Sequence, residues 1–346
     1  MSQRQATPVI SVCIANYNGE AMLVDCIDSI LRQSVDIPVE IIIHDDASTD
    51  GSVRLIRDRY PRVVLIESAA NVGFCVANNR MVRQARGEFI LLLNNDAALF
   101  DDALDTLLRY ARSQAGPAIL SLPQYDWETG ALVDRGCRLD LAYYPVPIRA
   151  SAPVTAAFVI GACMWLPRSL WMETGGFPEW MGSIGEDLYL CAVARLRGVS
   201  VFVPDASGYR HRQGVSFGGN KLQSGRLRTT IQRRYLSERN RSYVLFIATP
   251  TVLVWPWLLL HAGLILAEGL VLSVLRLNIR ILGQVHMKAL IDLIREMPRL
   301  IACRRQVQRS RVVSLRAYLR PFVCTLQKLR LLARHGVPEI GTGQRT

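Results

Sequence analysis

Residues 88–96, EFILLLNND, set five large apolar side chains in succession and then stop at two carboxamides and a carboxylate. An apolar run without alternation is what a strand covered on both faces requires, and this one is too short for an ordinary helix. Such a strand belongs in a sheet with helices on either side, where ligands bind in the crevice at the carboxyl ends of the strands. Asp96 is therefore expected at the lip of a pocket. The same Asp also suits the N-cap of a helix over about 101–112, so a purely structural reading stands beside the functional one.

The pattern recurs upstream. VISVCIA at 9–15 is a second buried strand that closes on the turn residues Asn16, Tyr17, Asn18, Gly19 and Glu20. Leu23, Cys26, Ile27, Ile30 and Leu31 then form a helical stripe able to pack back on the sheet. VEIIIH at 39–44 ends in Asp45 and Asp46, followed by ASTDGS. Asp50 or Ser52 suits the cap of a helix running to Arg59, whereas Asp45 and Asp46 precede that cap. Two adjacent carboxylates repel unless a base, a ribose or a metal takes up their charge. A third strand over 62–67 leads to NVGF at 71–74 and a helix bearing Asn78, Asn79 and Arg80. Four strands alternating with helical patterns predict an α/β fold with a doubly wound, mainly parallel sheet whose function gathers along one edge.

Charge divides the chain. Residues 1–220 carry 19 Lys and Arg against 24 Asp and Glu, while 221–346 carry 22 against 5. That asymmetry marks the C-terminal third as the part that meets an anionic surface. It has no zinc-finger spacing and no RNP-like motif, and its basic residues alternate with aliphatic runs, which favours an anionic membrane leaflet over nucleic acid. Eight cysteines without a CxxC pair argue for a reducing compartment rather than a disulfide framework or zinc site. MSQRQATPVI offers no apolar stretch of signal-peptide type, so the first domain is expected to face the cytosol.

Neither GxGxxG after the first strand nor GxxxxGK[ST] occurs, so a diphosphate in the crevice needs another counter-charge. A divalent cation, Mg2+ or Mn2+, on Asp96 supplies one with hard oxygen ligands.

NYNGE, DDASTDGS, NVGFCVANN, LLLNNDA, GACMWLPRSLWMETGGFPE and GEDLYLCAVARLRG, in that order and spacing, resemble the family 2 glycosyltransferases with the GT-A (nucleotide-diphospho-sugar transferase) fold, most of all the rhamnosyltransferase-like members that extend bacterial surface polysaccharides on a lipid carrier. The resemblance spans about 8–220 plus ERNR at 238–241. It implies an inverting hexosyltransferase that uses a nucleotide-diphosphate sugar donor and a polyprenyl-linked glycan acceptor at the cytoplasmic face of a bacterial inner membrane. By position, Asn16, Asn18, Asp45 and Asp46 fall where the family holds the nucleoside, and Asn71, Asn78 and Asn95 line the same pocket. Asp96 matches the last acid of the metal-binding DXD motif, here Asn94-Asn95-Asp96, in which the first carboxylate is missing. Asp187, with Glu186 beside it, falls on the catalytic base. His211, with Ser216 following, matches a histidine near the diphosphate, and Arg210 and Arg212 beside it suit phosphate.

The chemistry asks for the same residue types. The leaving diphosphate needs its charge neutralised and the acceptor hydroxyl needs a base, which a carboxylate provides without a covalent nucleophile. Glu186 and Asp187 also open a helical stretch, where acids are favoured by the macrodipole in any protein. A strand over 159–166 and the aromatics Trp165, Trp171, Phe177 and Trp180 suggest an acceptor side, with buried core the default for most of them and one expected to reach substrate. Gly175-Gly176-Phe177 reads as a loop that orders on binding.

The expected organisation is a catalytic domain over 1–220, with a nucleotide-binding half at about 8–100 and an acceptor half at about 101–220, then a basic, apolar, membrane-associating helical region over 221–346. Residues 244–267 are uncharged and the apolar run continues past Glu268 to 275. One helix over about 252–275 is long enough to span a bilayer, with His261 and Glu268 at membrane depth unless paired. The rival is a broken pair of interfacial helices, the break marked by Pro250 and Pro256, with Trp255 and Trp257 at headgroup level. Further on, Leu290, Ile291, Leu293 and Ile294, then Leu326, Leu329 and Leu331, suit basic amphipathic helices. Two other classes stay open: a nucleotidyltransferase, which would be expected to carry a Gly-rich, lysine-bearing loop after the first strand, and a non-catalytic carbohydrate-binding protein, which would tolerate loss of Asp96 or Asp187.

Overall fold

A computed structural model describes residues 7–150, 154–213, 221–223 and 226–341. The chain divides into two compact units, one of 1–137, 147–194 and 199–212, the other of 138–146, 195–198 and 213–346.

The first unit opens with β1 (Ile10–Asn16), α1 (Glu20–Leu31), β2 (Val39–Asp45), α2 (Ser52–Arg59), β3 (Val64–Glu67), α3 (Phe74–Gln84) and β4 (Phe89–Leu93). The expected strands are thus in place: β1 is shifted one residue toward its polar end, β2 is one residue longer there, and β3 starts two residues later than expected. Next come β5 (Ala97–Leu99), α4 (Ala103–Arg112), β6 (Ala118–Leu120), β7 (Gln124–Asp126) and β8 (Leu132–Asp134); β9 (Cys137–Asp140) and β10 (Pro145–Pro147) follow in the chain but belong mostly to the second unit, and the first resumes with β11 (Val154–Thr155), β12 (Cys163–Pro167), α5 (Arg168–Thr174), α6 (Glu186–Leu196), β13 (Ser200–Val203) and β14 (Tyr209–His211).

The main sheet runs β11-β13-β6-β12-β4-β1-β2-β3. β1 pairs in parallel with β2 and β4, and β2 with β3, while β12 lies antiparallel to β4. Every residue of β4 is buried, as its unbroken apolar run demands. Trp165 on β12 is fully buried and stacks on Phe89 with ring centroids 5.1 Å apart. A second sheet, β5-β14-β7-β8, starts directly beyond Asp96.

Three local expectations change. Asp96 does not cap the following helix: β5 intervenes and Asp102 takes the N-cap of α4. Gly51 occupies the N-cap of α2, and Asp50 instead accepts the backbone N–H groups of Ser52 and Glu20, both at 3.0 Å. The strand expected over 159–166 begins only at Cys163, because Gly161 and Ala162 form a turn before it.

In the second unit, β15 (Lys221–Gln223) and β16 (Arg226–Thr230) precede α7 (Ile231–Ala248), whose N-cap Thr230 accepts the Arg233 N–H. There follow α8 (Thr251–Leu275), a π-helical turn Leu282–Met287, α9 (Lys288–Arg295), α10 (Met297–Arg309), α11 (Leu315–Leu319), β17 (Phe322–Val323), α12 (Gln327–His335) and β18 (Glu339–Gly341). The chain breaks at Thr249–Pro250 and α8 continues through Pro256, so only the first of the two prolines marks a break. Arg304 and Gln308 of α10 donate to the carbonyls of Ile247 and, from Arg304 at 2.6 Å, of Thr249, which satisfies the open C-terminal end of α7. α8 is one helix long and apolar enough to cross a membrane.

Candidate active site

Parallel register brings the polar ends of β2, β1 and β4 side by side, with Asn16 opposite Asp45. Their side chains form a continuous ladder. Asn95 Nδ2 donates to Asn16 Oδ1 at 2.8 Å, and Asn16 Nδ2 donates to Asp45 Oδ2 at 2.8 Å. Gly19 of NYNGE is required here: a Cβ on it would stand 2.2 Å from both Asn16 Oδ1 and Asn95 Nδ2.

Asp45 and Asp46 do not wait for a ligand to take up their charge, as the adjacent-carboxylate reasoning expected. Asp45 accepts the Ser48 N–H at 2.9 Å and the Ser48 hydroxyl at 2.7 Å. Asp46 accepts the N–H groups of Val72 and Gly73 at 2.7 and 2.8 Å, which pins the loop entering α3. Backbone donors of this kind hold a carboxylate as well as a cation does. Asn18 Oδ1 accepts the Thr49 N–H at 2.8 Å, and Asn71 is exposed on the rim. Asn78 turns onto its own helix, donating to Phe74 O at 2.9 Å.

Beyond Asn95 the chain crosses from the first sheet to the second. β14 pairs antiparallel with β5, setting His211 opposite Ala97 and therefore beside Asp96. The Nε2 of His211 is 3.0 Å from Asp96 Oδ1 and 3.4 Å from Asn94 Nδ2, and all but a small part of both Asp96 and His211 is buried. A further buried carboxyl, Asp134 on β8, has its pKa pushed up to about 6 by burial, an effect that the Gly136 N–H and the nearby His211 ring partly offset. Arg212 is committed elsewhere: its guanidinium pairs with Asp25 and lies 3.9 Å over the Trp127 ring. Arg210 is exposed, and Ser216 lies outside the described residues.

The turn at Gly161–Ala162 joins this corner to the start of α6. Ala162 O accepts the Asn94 N–H at 3.0 Å, and the Gly161 N–H donates to Asp187 Oδ2 at 3.1 Å. Asp187 is half-buried and its Oδ1 also accepts the Leu188 N–H at 2.7 Å, so the carboxylate both opens α6 and holds the Gly161 turn. Glu186 is buried at the first position of α6. Just before it, Ile184 has φ +69, a backbone conformation that costs a β-branched residue strain and is found where a site demands it.

Of the aromatics expected on an acceptor side, Trp165, Trp171 and Phe177 are core; Trp180 alone of the four is partly exposed. The sequence places Asn79 on the helix α3 without a role for it. Its Nδ2 donates to Phe177 O at 2.8 Å and its Oδ1 accepts the Phe177 N–H at 3.1 Å, fixing the Gly175–Phe177 loop. Arg80 likewise had no assigned role, and its guanidinium is 3.4 Å from His44 Nε2 and 3.3 Å from Ser68 Oγ.

Among the described residues no three His, Cys, Asp or Glu side chains gather as a metal cluster. The Asp96 carboxylate nonetheless fits Mg2+ or Mn2+, for which one or two protein carboxylates suffice when phosphate oxygens and water fill the rest. His211 is the buried side chain that stands beside Asp96 where the sequence has Asn94 in place of the motif's first carboxylate.

Known proteins agree with this architecture. The family model described as Glycosyl transferase family 2 matches residues 11–174. Chondroitin synthase of Escherichia coli is 31% identical over 187 residues, 53% of this chain and 26% of that protein. N-acetylglucosaminyl-diphospho-decaprenol L-rhamnosyltransferase of Mycobacterium tuberculosis is 26% identical over 237 residues, 60% of this chain and 77% of that one. Among solved structures, S. aureus TarS 1-349 superposes with a TM-score of 0.55 at 17% identity, covering 89% of this chain and 88% of that one. GalNAc-T7 with UDP, GalNAc and Mn2+ superposes with a TM-score of 0.56 at 13% identity, covering 70% and 48%. These superpositions establish the GT-A fold. The chain spans about a quarter of the E. coli chondroitin synthase and under two fifths of the Bacillus subtilis glycosyltransferase EpsH.

Proposed function

We propose, because residues 11–174 of this chain match the family model described as Glycosyl transferase family 2, that the protein transfers a hexosyl or deoxyhexosyl unit from a nucleotide-diphosphate sugar to a lipid-linked glycan, with inversion, in bacterial cell-envelope polysaccharide synthesis. The observation that carries this reading is the Gly161–Ala162 turn, which is hydrogen-bonded on one side to Asp187 and on the other to the Asn94–Asp96 segment.

The nucleoside is held along the Asn16, Asn18, Asp45, Asp46 and Asn71 rim, where the buried members shape the pocket and the exposed ones touch the ligand. The diphosphate lies toward Asp96 and His211. A Mg2+ or Mn2+ ion bound by that pair would offset the charge of the departing diphosphate. Asp187 accepts the proton of the acceptor hydroxyl as its oxygen bonds to the anomeric carbon and the bond from that carbon to the diphosphate oxygen breaks. Asn79 fixes the Gly175–Phe177 loop that brings Trp180 to the acceptor sugar, a flat surface on which a pyranose can stack. The rhamnosyltransferase of Mycobacterium tuberculosis, with 77% of its length matched, supports a deoxyhexose donor and a polyprenyl-diphosphate acceptor. The basic second unit supports a site of action at the cytoplasmic face of the inner membrane.

A panel of nucleotide sugars screened by thermal shift with Mn2+ tests the donor, since a bound donor stabilises the fold in proportion to the logarithm of its concentration over Kd. Transfer from the stabilising donor to a polyprenyl-diphosphate glycan is the expected result. Stabilisation by none of the UDP-, GDP- or dTDP-sugars would reject the reading.

A further inference from the structure

The long helix α8 is built inside out. Val252, Trp255, Leu259, Leu266, Leu270 and Val274 fall on one helical stripe and are all substantially exposed, Leu259 by 75%. The opposite stripe is buried and holds the helix's polar groups. His261 Nε2 is 3.0 Å from the Ser242 hydroxyl, and Glu268 accepts Arg234 at 2.5 Å and also Lys328. Polar inside and apolar outside is the pattern of a helix whose outer solvent is hydrocarbon.

We propose that α8 lies along the surface of an anionic lipid leaflet, its Val252–Val274 stripe in the acyl region, and does not cross the bilayer. Spanning is ruled against by what α8 is fastened to. A vertical α8 would carry Arg234, Glu238, Arg241 and Lys328 to membrane depth with it, through the bonds that join α7 and α12 to its inner face. Lying flat, the 25-residue helix runs about 37 Å along the surface at 1.5 Å per residue. The turn that follows continues the wedge: Leu277 is 94% exposed and Ile279 72%, with exposed Arg280 next in sequence. Charge selects the lipid, because residues 221–346 carry 22 Lys and Arg against 5 Asp and Glu. The proposal takes from the proposed function only that the acceptor is lipid-linked, and it specifies how the enzyme would meet that acceptor.

The test uses the full chain with single cysteines at 259, 266, 270 and 274 in a Cys303→Ser, Cys324→Ser background, each carrying a fluorophore read against lipids quenched at known depths. Bound to phosphatidylglycerol vesicles, the four labels are expected at one shared depth. A progressive change of depth along the series, on the order of 20 Å for fifteen helical residues, would overturn the in-plane placement in favour of spanning. Flotation with phosphatidylglycerol but not with phosphatidylcholine vesicles is expected; failure to float with either, or labels shielded only through self-association, would overturn the lipid partner. Leu259→Asp combined with Leu266→Asp and Leu270→Asp should reduce flotation at least tenfold with melting temperature and donor hydrolysis unchanged, and the milder Leu→Gln set serves if the acidic variant misfolds. Asp187→Asn should float as the parent does, so a wrong chemistry and a wrong membrane placement give different results.

Discussion

Asp96 Oδ1 lies 3.0 Å from His211 Nε2, though 115 residues separate them in the chain. The pairing of β14 with β5 imposes this contact, setting a buried imidazole beside the Asn94-Asn95-Asp96 turn.

Replacing His211 with Ala should weaken Mn2+-dependent donor binding on the order of 10- to 100-fold, the range seen when groups supporting a metal site are removed. Thermal shift with UDP, with and without Mn2+, measures it. An unchanged Mn2+ increment would show that the histidine serves the fold alone. EDTA should stop transfer by the parent protein, and an unaffected rate would count against Asp96 as a ligand.

Asp187→Asn keeps the size and an acceptor for one of the two backbone N–H groups, Gly161 or Leu188, that the carboxylate now accepts, but removes the base. Transfer should fall by about 10²-fold or more with nucleotide affinity nearly intact. Steady-state transfer assays beside nucleotide titration check it, and full activity would reject Asp187 as the base.

Asn79→Ala leaves the Phe177 N–H and carbonyl without their partner. A cost of about 1–3 kcal/mol is expected for buried groups left unpaired. If the loop positions the acceptor, the acceptor KM should rise more than the donor KM does.

Glu40 should make stability depend on pH. Burial alone would raise its carboxyl, but hydrogen bonds from Ser11 Oγ at 2.6 Å and the Arg86 N–H at 2.7 Å, with the Arg86 guanidinium, outweigh burial and hold it below the usual range. A depressed folded-state pKa contributes stability that is fully present above the unfolded value of about 4.3 and lost as pH falls through the folded one. Glu40→Gln should therefore melt lower than the parent at pH 7, with the gap closing below about pH 4. A gap that is constant from pH 7 to 3 would contradict the assignment.

In the second unit, Glu238 is buried between Arg241 and Lys328. Removing one member of such a group leaves buried charge uncompensated, so Glu238→Ala should cost about 3–5 kcal/mol. Chemical denaturation measures the loss, and a value near zero would mean that the network is solvated.

The strands were legible in the sequence because their apolar runs are unbroken and end abruptly. The order of β1, β2, β3 and β4 with their intervening helices follows from that pattern, as does the collection of Asn16, Asp45 and Asp96 at one edge. Asp187 was singled out by the resemblance to family 2 glycosyltransferases, whose catalytic base it matches by position. Less legible was what each group holds. Asn78 and Asn79 are neighbours in sequence, yet successive residues point about 100° apart around a helix; one folds onto its own backbone and the other reaches a loop 98 residues away.

Chain chemistry alone therefore decided which segments are buried, which ends are polar and where positive charge collects. Tertiary structure decided the partners: that Asp45 and Asp46 are satisfied by Ser48, Val72 and Gly73, that His211 meets Asp96, and that α8 turns His261 and Glu268 inward. The physical reason is range. Burial and periodicity are properties of a few consecutive residues, whereas a hydrogen bond forms only over about 3 Å with the right direction, and that geometry exists only once distant segments have packed.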